Sequence, residues 1–224
     1  MRRRFALATI ALTTALSSAC GDDPDPPRAR HAAFEVVATG CRELAISGEG
    51  LAVAPDRIVT VAHVVAGAES ISVSGDAGTF DAHVVALDPA LDLAVLAVDT
   101  DDALQFIELG TAERGSAGTV VVHRDGNAVA LPVTVQRRVV VNTDDIHRSH
   151  LVQRPGYELA TPGARIEQGD SGAVVVVDGR AVAVVWSRSN RDDTRAWATD
   201  ATSISDGLVA AAPIDAGECP PPSG

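Results

Sequence analysis

From residue 34 to residue 186 the chain is a series of short apolar runs that return about every ten residues, parted by Gly, Asp, Asn and Pro. The clearest cover 34–39, 51–54, 58–62, 71–74, 83–87, 93–98, 119–123, 129–141, 173–177 and 181–186. Several alternate, as in Ser70-Ile71-Ser72-Val73-Ser74, which turns one face of an extended segment to a core and the other to water. Runs at this length and spacing do not alternate with helical segments, so the β-α-β crossovers that a parallel sheet needs are missing. The pattern specifies an all-β chain, a sandwich or a barrel. Asp125-Gly126 and Asp178-Gly179 lie between successive runs and are hairpin-turn dipeptides, which supports antiparallel pairing. One short helix is expected near the end, over residues 202–211, with Thr202 or Ser203 as its N-cap. An Asp-rich stretch at 99–103 marks a seam between two groups of strands.

Aromatic residues make up 3% of the chain, so its core must be packed from Val, Ala, Leu and Ile. The 18 basic residues, all Arg, face 30 acidic ones, giving a formal charge of −12. An acidic chain without a basic block is a poor partner for nucleic acid, because phosphate contacts need clustered cations.

Arg2, Arg3 and Arg4, an apolar stretch over residues 5–16 and the small residues Ser17-Ser18-Ala19 have the layout of a secretory signal over residues 1–19. The apolar stretch is too short for a bilayer span. Ser17-Ser18-Ala19-Cys20 resembles the lipobox of bacterial lipoproteins, departing from it at Ser17, where Leu, Val or Ile is usual. That resemblance implies a lipid on Cys20 as the sole membrane attachment; under ordinary cleavage Cys20 would be a bystander. Residues 20–33, rich in Pro and Asp at their start, are expected to be a disordered tether. Loss of residues 1–19 would leave 15 basic against 30 acidic residues, a charge of −15. With Cys20 lipidated, Cys41 and Cys219 remain as an even pair that an oxidising compartment could join; two free thiols are the other reading.

Three segments carry chemistry. Ile58-Val59-Thr60-Val61-Ala62-His63 is expected to be a strand ending in His63. Asp88-Pro89-Ala90-Leu91-Asp92 stands before an apolar run, and Gly169-Asp170-Ser171-Gly172 holds a Ser in a Gly-flanked turn. Acyl transfer needs a hydroxyl nucleophile, an imidazole to take its proton and a carboxylate to fix the imidazole. It also needs backbone N–H groups aimed at the developing oxyanion. Alone, each residue reads as a structural His or a turn residue; together, in the order His, Asp, Ser, they point to nucleophilic catalysis without a cofactor.

The order and surroundings resemble chymotrypsin-fold serine proteases, closest to the bacterial HtrA and MarP-like periplasmic branch. The likeness rests on the Gly-rich segment from Gly48 to Asp56, on Thr60 to Val65, and on Asp88 to Leu96. A Cys before the Gly-rich segment, another near the C-terminus and residues 154–157 extend it over roughly residues 40–219. The resemblance implies two six-stranded antiparallel β-barrels with the site in the cleft between them: residues 34–104 with His63 and Asp92, and residues 105–224 with Ser171, the helix and a Pro-rich tail. It implies an exported, cell-envelope endopeptidase acting on protein or peptide substrates. Ser171 would be the nucleophile, His63 the base, Asp92 its orienter with Asp88 as rival, and the backbone N–H groups of Gly169 and Ser171 the oxyanion donors. Val185, Trp186 and Ser187 would lie beside the substrate. The family usually continues Ser-Gly-Gly-Pro, whereas this chain has Ser171-Gly172-Ala173-Val174. A positive φ at Ala173 would cost about 1 kcal/mol and distort the hole, and a protease-fold binding module without activity is the alternative. Asp144, Asp145, His147 and His150 could suggest a metal site but read better as an exposed connection, and His83 and His123 as ordinary barrel residues.

Overall fold

A computed structural model describes residues 26–209 and 212–222. Residues 1–19, expected to be a secretory signal, and Cys20 therefore lie outside the described residues. After a short helix α1 (Pro26–His31), six strands close the first barrel: β1 (Ala33–Thr39), β2 (Ile46–Ala54), β3 (Arg57–Thr60), β4 (Ser70–Gly75), β5 (Gly78–Asp88) and β6 (Leu93–Val98). A one-turn helix, α2 (Ala62–Val65), interrupts them. The second barrel contains β7 (Ala117–Arg124), β8 (Asn127–Asp144), β9 (Leu151–Ala160), β10 (Val174–Val177), β11 (Arg180–Arg188) and β12 (Arg195–Asp200). The two share one connectivity, β1-β2-β3-β6-β5-β4 and β10-β11-β12-β9-β8-β7, and each sheet closes on itself. Closure leaves no free edge for chains this rich in Val to pair across.

The fold is mostly β, as the periodicity requires. Asp125-Gly126 and Asp178-Gly179 take positive φ at both residues, the geometry that lets a two-residue turn follow the strand twist, and they join β7 to β8 and β10 to β11. Two strands escape the sequence pattern. β9 is broken by Pro155-Gly156, and β12 (RAWATD) is too short to alternate visibly. The strand before His63 stops at Thr60, and His63 itself sits on α2. The terminal helix is a 3-10 helix over Ala201–Val209, and its start is capped by Asp200, whose Oδ1 accepts the Thr202 N–H at 3.0 Å, not by Thr202 or Ser203. Nor is residue 26 onward a tether: Ala29 and Ala32 are buried in the core, which places α1 within the folded body.

The termini cross over between barrels. α1 packs on β7 and β8 of the second barrel. The C-terminal tail returns to the first, where the Ile214 N–H donates to Val84 O and the Gly67 N–H donates to Ala216 O. A disulfide joins Cys41 to Cys219 with Cα atoms 5.5 Å apart and closes a loop of 178 residues, worth about 5 kcal/mol in the chain-entropy account.

Candidate active site

The loop between β5 and β6 decides which carboxylate meets His63. Asp88 Oδ1 accepts the N–H groups of Ala90 and Leu91, both at 2.9 Å, so it is spent on the turn. Asp92 adopts a φ of 57°, which Asp tolerates better than most residues, and is buried. Its Oδ1 accepts the His63 backbone N–H at 2.9 Å, and Nδ1 of His63 lies 3.1 and 2.9 Å from the two carboxylate oxygens. A carboxylate only accepts, so Nδ1 carries the proton and Nε2 keeps its lone pair. Burial disfavours the charged imidazole, but the charge and hydrogen bond of Asp92 outweigh it and hold the His63 pKa above the ordinary value. Arg154 and Arg42 pull it the other way.

On the second barrel the turn before β10 carries Ser171. Gly169 and Gly172 have φ of 100° and 96°, the left-handed region that favours glycine. Ala173 does not share it: its N–H donates to Asp170 O at 3.0 Å and its carbonyl accepts the Val185 N–H at 2.8 Å. The positive-φ cost foreseen for Ala173 therefore does not arise, because the demand falls on Gly172. No acceptor among the described residues takes the N–H of Gly169 or Ser171. The first barrel secures the same turn, with the Glu49 N–H donating to Ser171 O at 2.8 Å. Asp170 is buried and accepts both Arg124 guanidinium nitrogens at 2.5 and 2.6 Å and the Glu167 N–H at 2.7 Å.

His63, Asp92, Gly169 and Ser171 line one cleft of about 500 Å³. Ser171 Oγ and His63 share it but form no hydrogen bond; such bonds are commonly long until substrate binds. Trp186 and Ser187 also line it, whereas Val185 does not: its side chain is in the second core, and only its peptide group serves the site, through Gly172 N–H to Val185 O at 2.8 Å. A bulge between Val185 and Ser187 turns the Trp186 ring outward against Arg154, 4.4 Å from ring centroid to guanidinium carbon.

Sequence reasoning assigned no role to Arg154, Arg124 or the Glu49–His123 pair. Arg154 is buried on β9, with Nη1 3.5 Å from Asp92 Oδ2. His123, expected to be an ordinary barrel residue, bonds Glu49 across the barrels through Nδ1 to Oε2 at 2.7 Å and N–H to Oε1 at 2.6 Å. His83 is half exposed and lies 3.1 Å from Asp99. Between β8 and β9, Asp145 Oδ1 accepts the N–H groups of His147 and Ser149, so this segment is a turn. Among the described residues no three His, Cys, Asp or Glu side chains gather as they would around a metal ion. Cys219 carries the tail to the cleft, where Pro220 and Pro221 line it and accept Arg42 Nη2 at 3.3 and 3.2 Å.

Residues 48–184 match the family model described as a trypsin-like peptidase domain. The serine protease Rv3671c of Mycobacterium tuberculosis (strain H37Rv) is 29% identical over 190 residues, 82% of this chain and 47% of that protein. The mitochondrial serine protease HTRA2 of Bos taurus is 35% identical over 149 residues, 64% of this chain and 32% of that protein. The chain thus spans less than half the length of these relatives. The crystal structure of the active form of the Rv3671c protease from M. tuberculosis superposes with a TM-score of 0.78 over 99% of this chain and all of that one, at 24% identity. The likeness in fold is therefore close, while the sequences have diverged widely.

Proposed function

Because the chain belongs to the trypsin-like peptidase family, we propose that it is an exported serine endopeptidase that cleaves protein or peptide substrates through an acyl-enzyme. The observation that carries this reading is the His63 imidazole held by both oxygens of Asp92 in the cleft that Ser171 and two unoccupied backbone donors share. In the reaction His63 Nε2 takes the Ser171 proton as Oγ attacks the scissile carbonyl, and returns it to the leaving amine. Asp92 holds the imidazole in the productive tautomer. The N–H groups of Gly169 and Ser171 stabilise the oxyanion, and Gly172 and Gly169 allow the turn that aims them. The reading of an inactive binding module rests on Ala173 and Val174; Ala173 has no positive φ and Val174 begins β10 with its side chain buried, which favours the protease reading.

The first expected outcome is that a fluorophosphonate labels Ser171 of the wild-type chain. Ser171→Ala should neither be labelled nor cut a peptide library, with turnover down by several orders of magnitude. A folded wild type that takes no label would favour the binding module. For location, the features over residues 1–20 support lipidation at Cys20 in a bacterial envelope, with residues 34–104 and 105–224 as the two lobes. Among the described residues no helix is long and apolar enough to cross a membrane. Cys20→Ala should move active protein from the membrane to the soluble fraction, and continued membrane association of this variant would remove the lipid anchor.

A further inference from the structure

We propose that Arg154 is a positioning residue of this reaction, reaching from the second barrel to hold the Asp92 carboxylate of the first in register with His63. The inference rests on the protease reading above and extends it to a residue that touches no substrate atom. Arg154 is 3% exposed. Burying a guanidinium costs several kcal/mol unless its charge and donors are matched, and an apolar side chain would fill the same volume without that cost. Its matches are specific. Nη1 faces Asp92 Oδ2 at 3.5 Å, Nε donates to Ala90 O at 3.1 Å and Nη2 donates to Asp144 O at 3.4 Å. Ala90 lies two residues before Asp92, so one side chain pins both the carboxylate and the loop that presents it. The Trp186 ring covers the guanidinium, and its neighbour Val185 holds the nucleophile turn through Gly172. A continuous path then runs from the Ser171 turn through Val185, Trp186 and Arg154 to Asp92 and His63. It joins halves of the catalytic unit that stand on different barrels.

The same placement has an electrostatic effect. Asp92 divides its charge between an imidazole and a guanidinium, so Arg154 restrains the rise in His63 basicity that Asp92 alone would cause, as Arg42 does from the β1–β2 loop. Asp92, Asp88 and Asp145 are the carboxylates that act on Arg154 itself. A base with lower proton affinity is free at lower pH, so Arg154 both aims the carboxylate and widens the range in which His63 can accept a proton.

The test compares the full-length wild type with Arg154→Met and Arg154→Lys by NMR titration of the His63 ring, by fluorophosphonate labelling rate against pH and by steady-state kinetics. Arg154→Met should raise the His63 midpoint and carry the acid limb of labelling with it. Its kcat should fall by about 10- to 100-fold while KM stays within about threefold, since only alignment is lost. Arg154→Lys, which keeps the charge but not the fork, should restore the midpoint and leave kcat reduced. A folded Arg154→Met with the wild-type midpoint and limb overturns the proposal. If Arg154→Met does not fold, Arg154→Lys decides: a shifted midpoint or a wild-type kcat overturns it. A wild type that takes no label removes the protease reading, while a midpoint that still moves in Arg154→Met sustains the coupling of Arg154 to His63.

Discussion

A methyl group on Gly172 would run into the carbonyl oxygen of Glu49, and the residue already holds a φ of 96°. Gly48 approaches from the other side: a Cβ there would lie 2.7 Å from the carbonyl oxygen of Ser171. The two glycines let the backbones of the barrels approach, and there the Glu49 N–H reaches Ser171 O. Gly172→Ala should therefore destabilise by about 2–5 kcal/mol, from left-handed strain and a steric clash that cannot be relieved by a rotamer change. It should also lose most activity. Thermal unfolding and fluorophosphonate labelling check it together, and a wild-type melting temperature would contradict it. Ala173, one residue on, carries no such demand, so the departure from the family pattern falls where a side chain fits.

The turn between Glu167 and Gly172 is held by its attachment to β7. Asp170 is buried beneath it, with the Arg124 guanidinium fixing both oxygens and the Glu167 N–H closing the loop. A buried carboxylate left without its cation either takes a proton or moves toward water, and either response shifts Gly169 and its N–H. Arg124→Met should leave the barrels folded while kcat/KM falls by about 10- to 100-fold, the order expected when an oxyanion donor is misplaced. Far-UV circular dichroism and peptide kinetics separate the two effects, and full activity in a folded variant would show that the turn holds itself. Neighbouring His123 serves the same strand end differently, carrying the Glu49 pair that ties β2 to β7.

On the protease reading, activity and stability are expected to depend on pH in opposite directions. His123 is raised by its hydrogen bond to Glu49 against its partial burial, and His63 by Asp92 against its burial. Both imidazoles thus bind protons more tightly folded than unfolded. Their contribution to stability is complete below the unfolded value of about 6.5 and is lost as pH rises through the folded pKa values. Burial holds Glu49 above the usual carboxylate range even against its pairing, and adds to the same trend from the acidic side. Activity needs neutral His63 and so rises above about pH 6.5, later than for an unperturbed histidine. The melting temperature should fall over the same interval in which turnover rises. His123→Gln should flatten the fall without moving the His63 limb. Scanning calorimetry and pH–rate profiles from pH 5 to 9 test this; parallel rises in stability and rate would contradict it.

The all-β class, the hairpin dipeptides, the His, Asp and Ser segments and the cysteine pair were legible in the residues, because alternation, turn chemistry and short motifs are local and survive in one dimension. Asp92 over Asp88 was a preference drawn from its place against a buried run, and the turn hydrogen bonds of Asp88 give the physical reason for it. Other features depend on which surfaces meet. His63 sits on a one-turn helix instead of a strand end because the chain must bend there to reach the cleft. Val185 faces the second core with Ala183, two residues before it, and the bulge between Val185 and Ser187 comes only after that alternation. Arg154 with Asp92, Arg124 with Asp170 and His123 with Glu49 lie 62, 46 and 74 residues apart in sequence, and no periodicity links them. Closure of the second barrel sets the Arg124–Asp170 pair, and docking of the two barrels sets the other two, since only packing excludes the water that would otherwise screen them.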